Sequence, residues 1–336
     1  MRERGSPVLG SAGIPVSRIG IGTWAIGGGW GPQPATISLR ALQCALEKGC
    51  ELIDTAALYG NGHAERLIAE AFRVYGQRVT TLTKVFPLNY HWSPAPGTPI
   101  STVYPQKHII EQVDQSLKRL ETDCLDGLLL QTWCPSWAEE TDWYETLLSL
   151  RDQGKIRAFG ISVSDHRPDE ANGVILAGRV DIIEVSYSIL DQRAAERLFP
   201  LAQTHHVSII ARSPLASGAL TGRWHQGIKF HRDDWRRRVF RGELLQQTIQ
   251  RVDNLKALFR GYPAVSLTQI ALRFCLSHPA VTTVIPGVRN AEQVICDLNA
   301  ANQGSLSQAE LNHIAHLWQN EFRHDVRTSI GEEGEG

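Results

Sequence analysis

The sequence lacks any long apolar run, and none approaches the roughly 20 consecutive apolar residues that a membrane-spanning helix requires. Residues 1–13 lack the apolar core of a secretory signal, so we expect a cytoplasmic location. An excess of one charge is also missing, because 34 Lys and Arg face 35 Asp and Glu and the formal net charge is −1. We therefore expect neither a nucleic-acid partner nor a membrane-surface partner.

Cysteine is scarce and scattered. The six cysteines show none of the CxxC spacing that is typical of a metal site. We interpret them as reduced packing thiols of a cytosolic protein, and we expect no bound metal. They are Cys44, Cys50, Cys124, Cys134, Cys275 and Cys296.

A dinucleotide-binding fingerprint is missing as well, although the amino-terminal part is rich in glycine. The GxGxxG pattern needs a third glycine, but residues 20–25 end in Ala25 and residues 27–32 end in Pro32. A proline at that position would disrupt the helix start that should hold a pyrophosphate. The sequence therefore argues against a Rossmann domain.

What the chain does contain is a regular alternation of short, apolar, β-prone runs with amphipathic helical stretches. Such alternation predicts a parallel sheet. Eight units without an obvious linker favour an α/β fold, a (β/α)8 TIM barrel in a single domain spanning 1–330, with an open doubly wound sheet as the alternative. Residues 331–336 are expected to form a disordered acidic tail. The predicted strands are residues 18–24, 51–56, 79–85, 125–133, 158–164, 181–187, 207–215 and 281–287.

Two connections, residues 86–105 and 216–243, are longer than a minimal barrel needs. Long loops in compact domains are uncommon and often functional. In a barrel these two would follow the third and seventh strands, so we expect both on the catalytic face.

Three ionisable residues lie near the ends of predicted strands. Asp54 and Lys84 are at the ends of two strands, and Tyr59 is in the loop that follows Asp54. A charge at the end of an apolar strand is costly unless it is paired, so we expect Lys84 to pair with Asp54. A nearby ammonium stabilises a phenolate, so the pKa of Tyr59 would fall towards working pH and make Tyr59 a usable general acid. A buried structural salt bridge beside a surface tyrosine is the alternative.

Seven segments between about residue 8 and residue 320 form a more specific pattern. They read IGIGTWAIGG, LIDTAALYGNGHAERLIAEA, LTKV, DCLDGLLLQTW, GKIRAFGISV, SPLASGALTGRW and TTVIPGVRNAEQV, and the second contains D-T-A-x-x-Y-G at residues 54–60. Together they resemble the aldo-keto reductase superfamily, and most closely its bacterial branch of sugar and inositol dehydrogenases. The resemblance implies a (β/α)8 barrel that binds NADP(H), or less often NAD(H), and interconverts a small-molecule carbonyl and an alcohol by hydride transfer.

The resemblance also implies catalytic roles. Tyr59 matches the proton donor, Lys84 the residue that lowers its pKa, and Asp54 the partner of the lysine. A fourth position is usually histidine at the end of the fourth strand, and here it is Gln131. Glutamine can position a carbonyl but cannot shuttle a proton. Enone or imine reduction, redox-neutral epimerisation and a cofactor-binding regulatory subunit therefore stay open as alternatives.

The cofactor positions implied by the resemblance are partly altered. Arg212 stands where many relatives stack an aromatic ring on the nicotinamide, and Glu184 replaces a usual glutamine. Arg289 favours NADP(H) through charge-assisted contact with the adenosine 2′-phosphate. The expected cofactor-binding set is Thr23, Trp24, Ser162, Glu184, Arg212, Ser213, Leu215, Ser217, Gly287, Arg289, Gln293 and Asp297.

Tryptophans near strand ends and in the long connections are expected to line the substrate pocket. Aromatic faces there suit sugar rings or flat polyketide-like substrates, whereas loop packing is the alternative. The expected set is Trp24, Trp30, Trp92 and Trp133. The sequence does not predict an oligomeric state.

Overall fold

The computed structural model describes residues 7–90, 92, 94–260 and 266–323, so the tail expected at residues 331–336 lies outside the described residues. Eight parallel strands neighbour one another in chain order, and each overlaps one predicted run. They follow an antiparallel pair that the sequence analysis did not predict, β1 (Val8–Leu9) and β2 (Ile14–Pro15). The parallel strands are β3 (Ile21–Gly22), β4 (Leu52–Asp54), β5 (Thr80–Val85), β6 (Leu125–Leu130), β7 (Ile156–Ser162), β8 (Ile182–Ser186), β9 (Ser208–Arg212) and β10 (Val281–Ile285).

The sheet closes on itself where β3 meets β10. Ile19 forms a parallel bridge with Val284, and Gly22 forms another with Gly287. The backbone N–H of Gly20 donates to the carbonyl of Val284 at 2.8 Å. The predicted (β/α)8 barrel is therefore confirmed, and the open sheet is wrong.

Helices cover the outside of the barrel. Two of them, the first and the fifth, end just before Gly49 (φ 81°) and Gly154 (φ 74°), whose left-handed conformation closes the last turn. None of the helices in the described ranges is long and apolar enough to cross a bilayer. The helices are α1 (Ala35–Glu47), α2 (His63–Tyr75), α3 (Ile100–Val103), α4 (Gln106–Leu120), α5 (Asp142–Asp152), α6 (Asn172–Leu176), α7 (Leu198–Thr204), α8 (Arg236–Val239), α9 (Gly242–Leu258), α10 (Leu267–Ser277), α11 (Ala291–Ala300) and α12 (Gln308–Leu317).

The hairpin β1–β2 closes the amino-terminal end of the barrel. The carbonyl of Pro15 accepts a hydrogen bond from the hydroxyl of Thr80, the first residue of β5. Leu9, Ile14 and Val16 are fully buried and pack in one cluster with inward-facing strand residues. Those strand residues are Leu52, Leu82, Leu129, Ala158, Ile182, Ile210 and Ile285. Among the described residues this end of the barrel is filled with apolar side chains, and the cavity lies at the carboxyl ends of the strands.

Candidate active site

A cavity of about 760 Å³ lies at the carboxyl ends of the strands. Both long connections contribute to its lining, the first through Trp92 and the second through Ser217 and Trp235. Most of the residues predicted for the site meet here, although they come from distant parts of the chain. These residues are Trp24, Trp30, Asp54, Tyr59, Lys84, Trp92, Gln131, Ser162, Glu184, Arg212, Ser213, Leu215, Ser217 and Gly287.

Lys84 forms the charged centre of the cavity floor. Its ammonium Nζ donates to Oδ1 of Asp54 at 2.5 Å and to the carbonyl of Thr55 at 3.0 Å. The Oε2 atom of Glu184 lies 3.1 Å from the same nitrogen. Burial alone would lower the pKa of Lys84, but the two carboxylates outweigh it and raise that pKa. Lys84 is therefore a permanent cation, and its expected pairing with Asp54 is present.

Two carboxyl groups share this one ammonium. Burial raises the pKa of Asp54 to about 8, and Glu184 adds to the rise while Lys84 opposes it. Two buried carboxylates beside a single cation disfavour full ionisation. Burial and the neighbouring Glu184 consequently favour the protonated form of Asp54.

Tyr59 faces the cavity beside this cluster, with Nζ of Lys84 lying 5.5 Å from the centroid of its ring. Burial raises the pKa of the Tyr59 phenol well above its ordinary value, and Lys84 offsets only part of that rise. Asp54 and Glu184 raise it further. The expectation of a lowered Tyr59 pKa is therefore wrong for this structure, because desolvation and two carboxylates outweigh one ammonium. A Cβ at Gly27 would lie 2.7 Å from Cβ of Tyr59, so glycine allows the loop to approach the main chain of Tyr59.

A second set of ion pairs continues from Glu184 across the next strands. The hydroxyl of Ser162 donates to Oε1 of Glu184 at 3.1 Å, and Nε of Arg212 lies 3.7 Å from the same oxygen. Arg212 also donates to Oδ1 of Asp165 at 2.7 Å and to the carbonyl of Val163 at 2.9 Å. Burial disfavours ionisation of Asp165, but Arg212 outweighs it and the pKa of Asp165 falls to about 2. Arg212 is therefore a fixed, planar cation, 20% exposed, at the edge of the cavity.

The segment after β9 has an unusual backbone. Ser213 (φ 53°), Ala216 (φ 45°), Ser217 (φ 58°) and Gly218 (φ 97°) all adopt positive φ within six residues. The backbone N–H groups of Ala216 and Gly218 donate inside the segment, to the carbonyls of Ser213 and Leu215. A turn of left-handed residues can orient its remaining N–H groups towards an anion. This segment is therefore suited to a phosphate or pyrophosphate.

Trp24 and Trp235 form an aromatic wall above Tyr59. The ring of Trp24 stacks on Trp235 with centroids 5.5 Å apart and an interplanar angle of 7°, and on Tyr59 at 6.3 Å and 16°. A Cβ at Gly29 would lie 2.1 Å from Nε1 of Trp24, so only glycine leaves room for the indole. Trp235 was not predicted, and its position in the second long connection was the one indication that the sequence offered.

Gln131 follows the end of β6 and keeps its strand-like hydrogen bond, donating from its backbone N–H to the carbonyl of Val85 at 3.0 Å. Its side chain lines the cavity. The Oε1 atom is buried and has no hydrogen-bond partner among the described residues. The amide oxygen can therefore accept a hydrogen bond from a donor group in the cavity.

The structure corrects the expectation for Trp133. Its ring is 1% exposed and packs edge-to-face against Trp137 at 5.6 Å and Trp143 at 5.1 Å, away from the cavity. The strand ends at Leu130, and the chain then turns into a short 3-10 helix, Pro135–Ala138. This turn directs the indole into the layer between barrel and helices.

Four of the residues expected to bind the cofactor are not part of the cavity lining, namely Thr23, Arg289, Gln293 and Asp297. The Thr23 hydroxyl is buried and donates to the carbonyl of Asp54 at 2.9 Å, so it helps to fix the main chain of Asp54. Oε1 of Gln293 accepts a hydrogen bond from the backbone N–H of Arg289 at 2.8 Å. Asp297 is 2% exposed, and burial raises its pKa to about 8.

His166 is a further lining residue that the sequence analysis missed. Its Nδ1 lies 2.7 Å from Oδ2 of Asp191, and its backbone has a φ of 65°. Its Nε2 is buried without a hydrogen-bond partner among the described residues. No group of three or more His, Cys, Asp or Glu in those residues is arranged to hold a metal ion.

The profile of the Aldo/keto reductase family matches residues 18–319. The resemblance predicted from the sequence is thereby confirmed, and so is the prediction of an enzyme of the aldo-keto reductase type.

Similar proteins cover nearly the whole chain. Aldo-keto reductase YhdN of Bacillus subtilis is 29% identical, with 91% of this chain and 92% of that protein covered. A probable voltage-gated potassium channel subunit beta of Arabidopsis thaliana is 30% identical, covering 88% and 90%. The NADH-specific methylglyoxal reductase of Escherichia coli is 28% identical, covering 88% and 92%.

Solved structures agree in fold. Aldo-keto reductase AKR11C1 from Bacillus halodurans, in its holo form, has a TM-score of 0.73 at 28% identity, with 93% of this chain and 95% of that chain covered. An aldo/keto reductase from Klebsiella pneumoniae in complex with NADP and acetate has a TM-score of 0.67 at 25% identity, with the same coverage.

Proposed function

Because the chain belongs to the aldo/keto reductase family, we propose that it interconverts a small carbonyl compound and an alcohol with NADP(H), using Tyr59 as the general acid and base. The observation that carries the proposal is the meeting of Asp54, Tyr59 and Lys84 on the floor of one cavity. A phenol beside a fixed cation is a suitable proton donor to a carbonyl oxygen.

The residues around the cavity fit a nicotinamide dinucleotide. Glu184 can accept a hydrogen bond from the carboxamide amino group, and the positive-φ segment from Ser213 to Gly218 suits the pyrophosphate. A bound nicotinamide supplies or accepts the hydride. The NADP complex of the Klebsiella pneumoniae relative supports NADP(H), whereas the NADH-specific relative keeps NAD(H) as the alternative.

The charge distribution favours the reductive direction near neutral pH. The raised pKa keeps Tyr59 protonated, so its hydroxyl is ready to donate to a substrate oxygen. Lys84 remains a cation and stabilises the phenolate that donation leaves behind. Gln131 offers an amide to orient the substrate carbonyl, but it does not exchange protons near neutrality.

The test is turnover followed by nicotinamide absorbance with a panel of aldehydes, ketones, polyols and enones. Tyr59→Phe should lower turnover by about 10²–10⁴-fold, the usual contribution of a positioned general acid, while cofactor affinity stays unchanged. Tight cofactor binding without turnover of any substrate, together with a Tyr59→Phe variant indistinguishable from wild type, would contradict the proposal.

The replacement of histidine by Gln131 supports a second reaction class. Enone or imine reduction takes up one hydride and one proton, as carbonyl reduction does, so Tyr59 alone can supply the proton while the amide of Gln131 binds the substrate differently from a histidine. Redox-neutral epimerisation likewise needs no titrating group at position 131. Faster turnover of enones than of the matching saturated ketones would favour this class over carbonyl reduction.

A regulatory subunit that binds the cofactor is the other candidate, supported by the relative named as a potassium channel subunit beta. The retention of Asp54, Tyr59 and Lys84 argues for the enzyme, because sensing does not require a tuned acid. The Tyr59→Phe comparison separates these two functions.

A further inference from the structure

Arg289 is bonded to the loop of residues 30–33, here called the Trp30 loop. Its Nη1 donates to the carbonyl of Trp30 at 2.9 Å, and its Nη2 donates to the carbonyl of Pro32 at 2.9 Å. A longer contact of 3.5 Å joins Nη2 to the carbonyl of Gly31. One guanidinium therefore binds three consecutive carbonyl groups of a loop that is more than 250 residues away in sequence.

Gln33 completes this attachment from both sides. Its Oε1 accepts from Nε of Arg289 at 2.7 Å, and its Nε2 donates to the backbone carbonyl of Arg289 at 2.7 Å. The same Nε2 lies 2.8 Å from the hydroxyl of Ser38 at the start of α1. Gln33 therefore fixes the main chain and the side chain of Arg289 relative to the Trp30 loop.

The loop held in this way carries a residue of the cavity wall. Trp30 lines the cavity, and its ring lies 3.4 Å from where a Cβ on Gly287 would be. The guanidinium of Arg236 lies 4.4 Å from the centroid of the Trp30 ring, and the backbone of Trp30 bridges that of Asp234. The hydrogen bonds of Arg289 therefore hold the main chain of the loop that carries the Trp30 indole.

We propose that Arg289, with Gln33 as its partner, is a positioning residue of the substrate pocket. The inference rests on the proposed function, with the adenosine 2′-phosphate at Arg289 as the sequence resemblance implies. Hydrogen bonds from a guanidinium to a phosphate dianion are stronger than those to neutral carbonyls. A 2′-phosphate therefore competes with the Trp30 loop for Arg289, and NADP(H) and NAD(H) leave Trp30 in different positions.

Kinetics with NAD(H) give the first test, because no 2′-phosphate is then present to engage Arg289. Gln33→Ala and Arg289→Ala should each raise the substrate KM by about tenfold, which corresponds to about 1.4 kcal/mol, with a smaller effect on kcat. Arg289→Lys should raise it as well, since an ammonium keeps the charge but cannot match the fork of donors. Arg40→Ala, which removes an exposed arginine of α1 paired with Glu47, is the control and should leave KM unchanged.

Fluorescence gives a test that needs no turnover. Adenosine 2′,5′-bisphosphate should change the tryptophan emission of the wild type, whereas 5′-AMP bound to the same occupancy should not. Trp30→Phe should remove most of the change, and Gln33→Ala should reduce it while binding, measured by calorimetry, persists.

The outcomes separate this inference from the proposed function. The bisphosphate could bind without a change in emission while Gln33→Ala leaves the NAD(H)-dependent KM unaltered. That result would overturn the link between Arg289 and Trp30 but would not contradict the proposed function. If the bisphosphate binds no more tightly than 5′-AMP, the 2′-phosphate role of Arg289 is overturned. If the protein turns over no substrate, the proposed function fails, and the fluorescence comparison still decides the coupling.

Discussion

Glu184 and Lys84 form a buried ion pair, with Oε2 of Glu184 lying 3.1 Å from Nζ of Lys84. The same ammonium binds Asp54, so the cluster beside Tyr59 contains one more carboxyl group than the sequence resemblance implies for it. An amide at position 184 would leave Lys84 with a single acidic partner. The extra carboxyl group raises the pKa values of both Asp54 and Tyr59.

Replacing Glu184 by glutamine should shift the pH dependence of alcohol oxidation towards lower pH. Removal of the negative charge makes the Tyr59 phenolate easier to form, and in the proposed mechanism that phenolate is the base for oxidation. The measurement is kcat/KM as a function of pH, with Glu139→Gln, an exposed substitution, as the control. An unshifted profile would show that Glu184 does not act on Tyr59.

Replacing Lys84 by methionine should lower the free energy of unfolding by about 3–5 kcal/mol, because two carboxyl groups would then be buried without a cation. The loss should be smaller at pH 5 than at pH 8, since Asp54, whose pKa is raised by burial, can take up a proton. Chemical denaturation at both pH values measures it. Lys155→Met is the matched control, because Lys155 and its partner Asp114 are partly exposed and such a pair contributes about 0–1 kcal/mol.

Replacing Gln131 by histidine should alter carbonyl turnover or its pH profile while cofactor affinity stays nearly unchanged. An imidazole titrates near neutral pH, whereas an amide does not. Steady-state kinetics from pH 5 to pH 9 with a carbonyl substrate, alongside cofactor titration, separate the two effects. Identical kinetics in both proteins would place the side chain outside the reaction.

Asp297→Asn should stabilise the protein increasingly as pH rises. Burial raises the pKa of Asp297 to about 8, so the folded state holds its proton at pH values where the unfolded chain has released it. The stability that the protonated carboxyl contributes is complete below the unfolded pKa and is lost as pH rises towards 8. We expect a gain of about 1–3 kcal/mol at pH 8 and little gain at pH 4. Thermal unfolding measures it, with the exposed Asp152→Asn as control.

Gly29→Ala should displace the Trp24 indole, since the added methyl would overlap Nε1. Substrates that stack on the aromatic wall should then show a raised KM. In a double-mutant cycle, Gly29→Ala should have little effect in a Trp24→Ala background, because the clashing ring is gone. Additive effects of the two substitutions would show that Gly29→Ala does not act through the Trp24 ring.

The fold was predictable because its determinants are local. Each barrel strand is a short apolar run bounded by polar or turn residues, and the order of the runs fixes a parallel sheet. The pairing of Asp54 with Lys84 was predictable for the same reason, since these residues lie at the ends of neighbouring strands and must emerge at one end of the barrel.

What could not be predicted depends on three-dimensional surroundings. The rise in the Tyr59 pKa comes from burial and from Glu184, which is 125 positions away in sequence. The direction of Trp133 depends on a turn after β6. The contacts of Trp235 with Trp24 and of Arg289 with the Trp30 loop join segments that no sequence periodicity relates.

The hairpin β1–β2 packs against the amino-terminal ends of the strands, opposite to the cavity. A tether attached ahead of Val8 would therefore hold the protein by its closed end. Immobilised on a sensor surface in this orientation, the barrel would present the mouth of the cavity to the solution, so that cofactor and substrate could reach it without crossing the support.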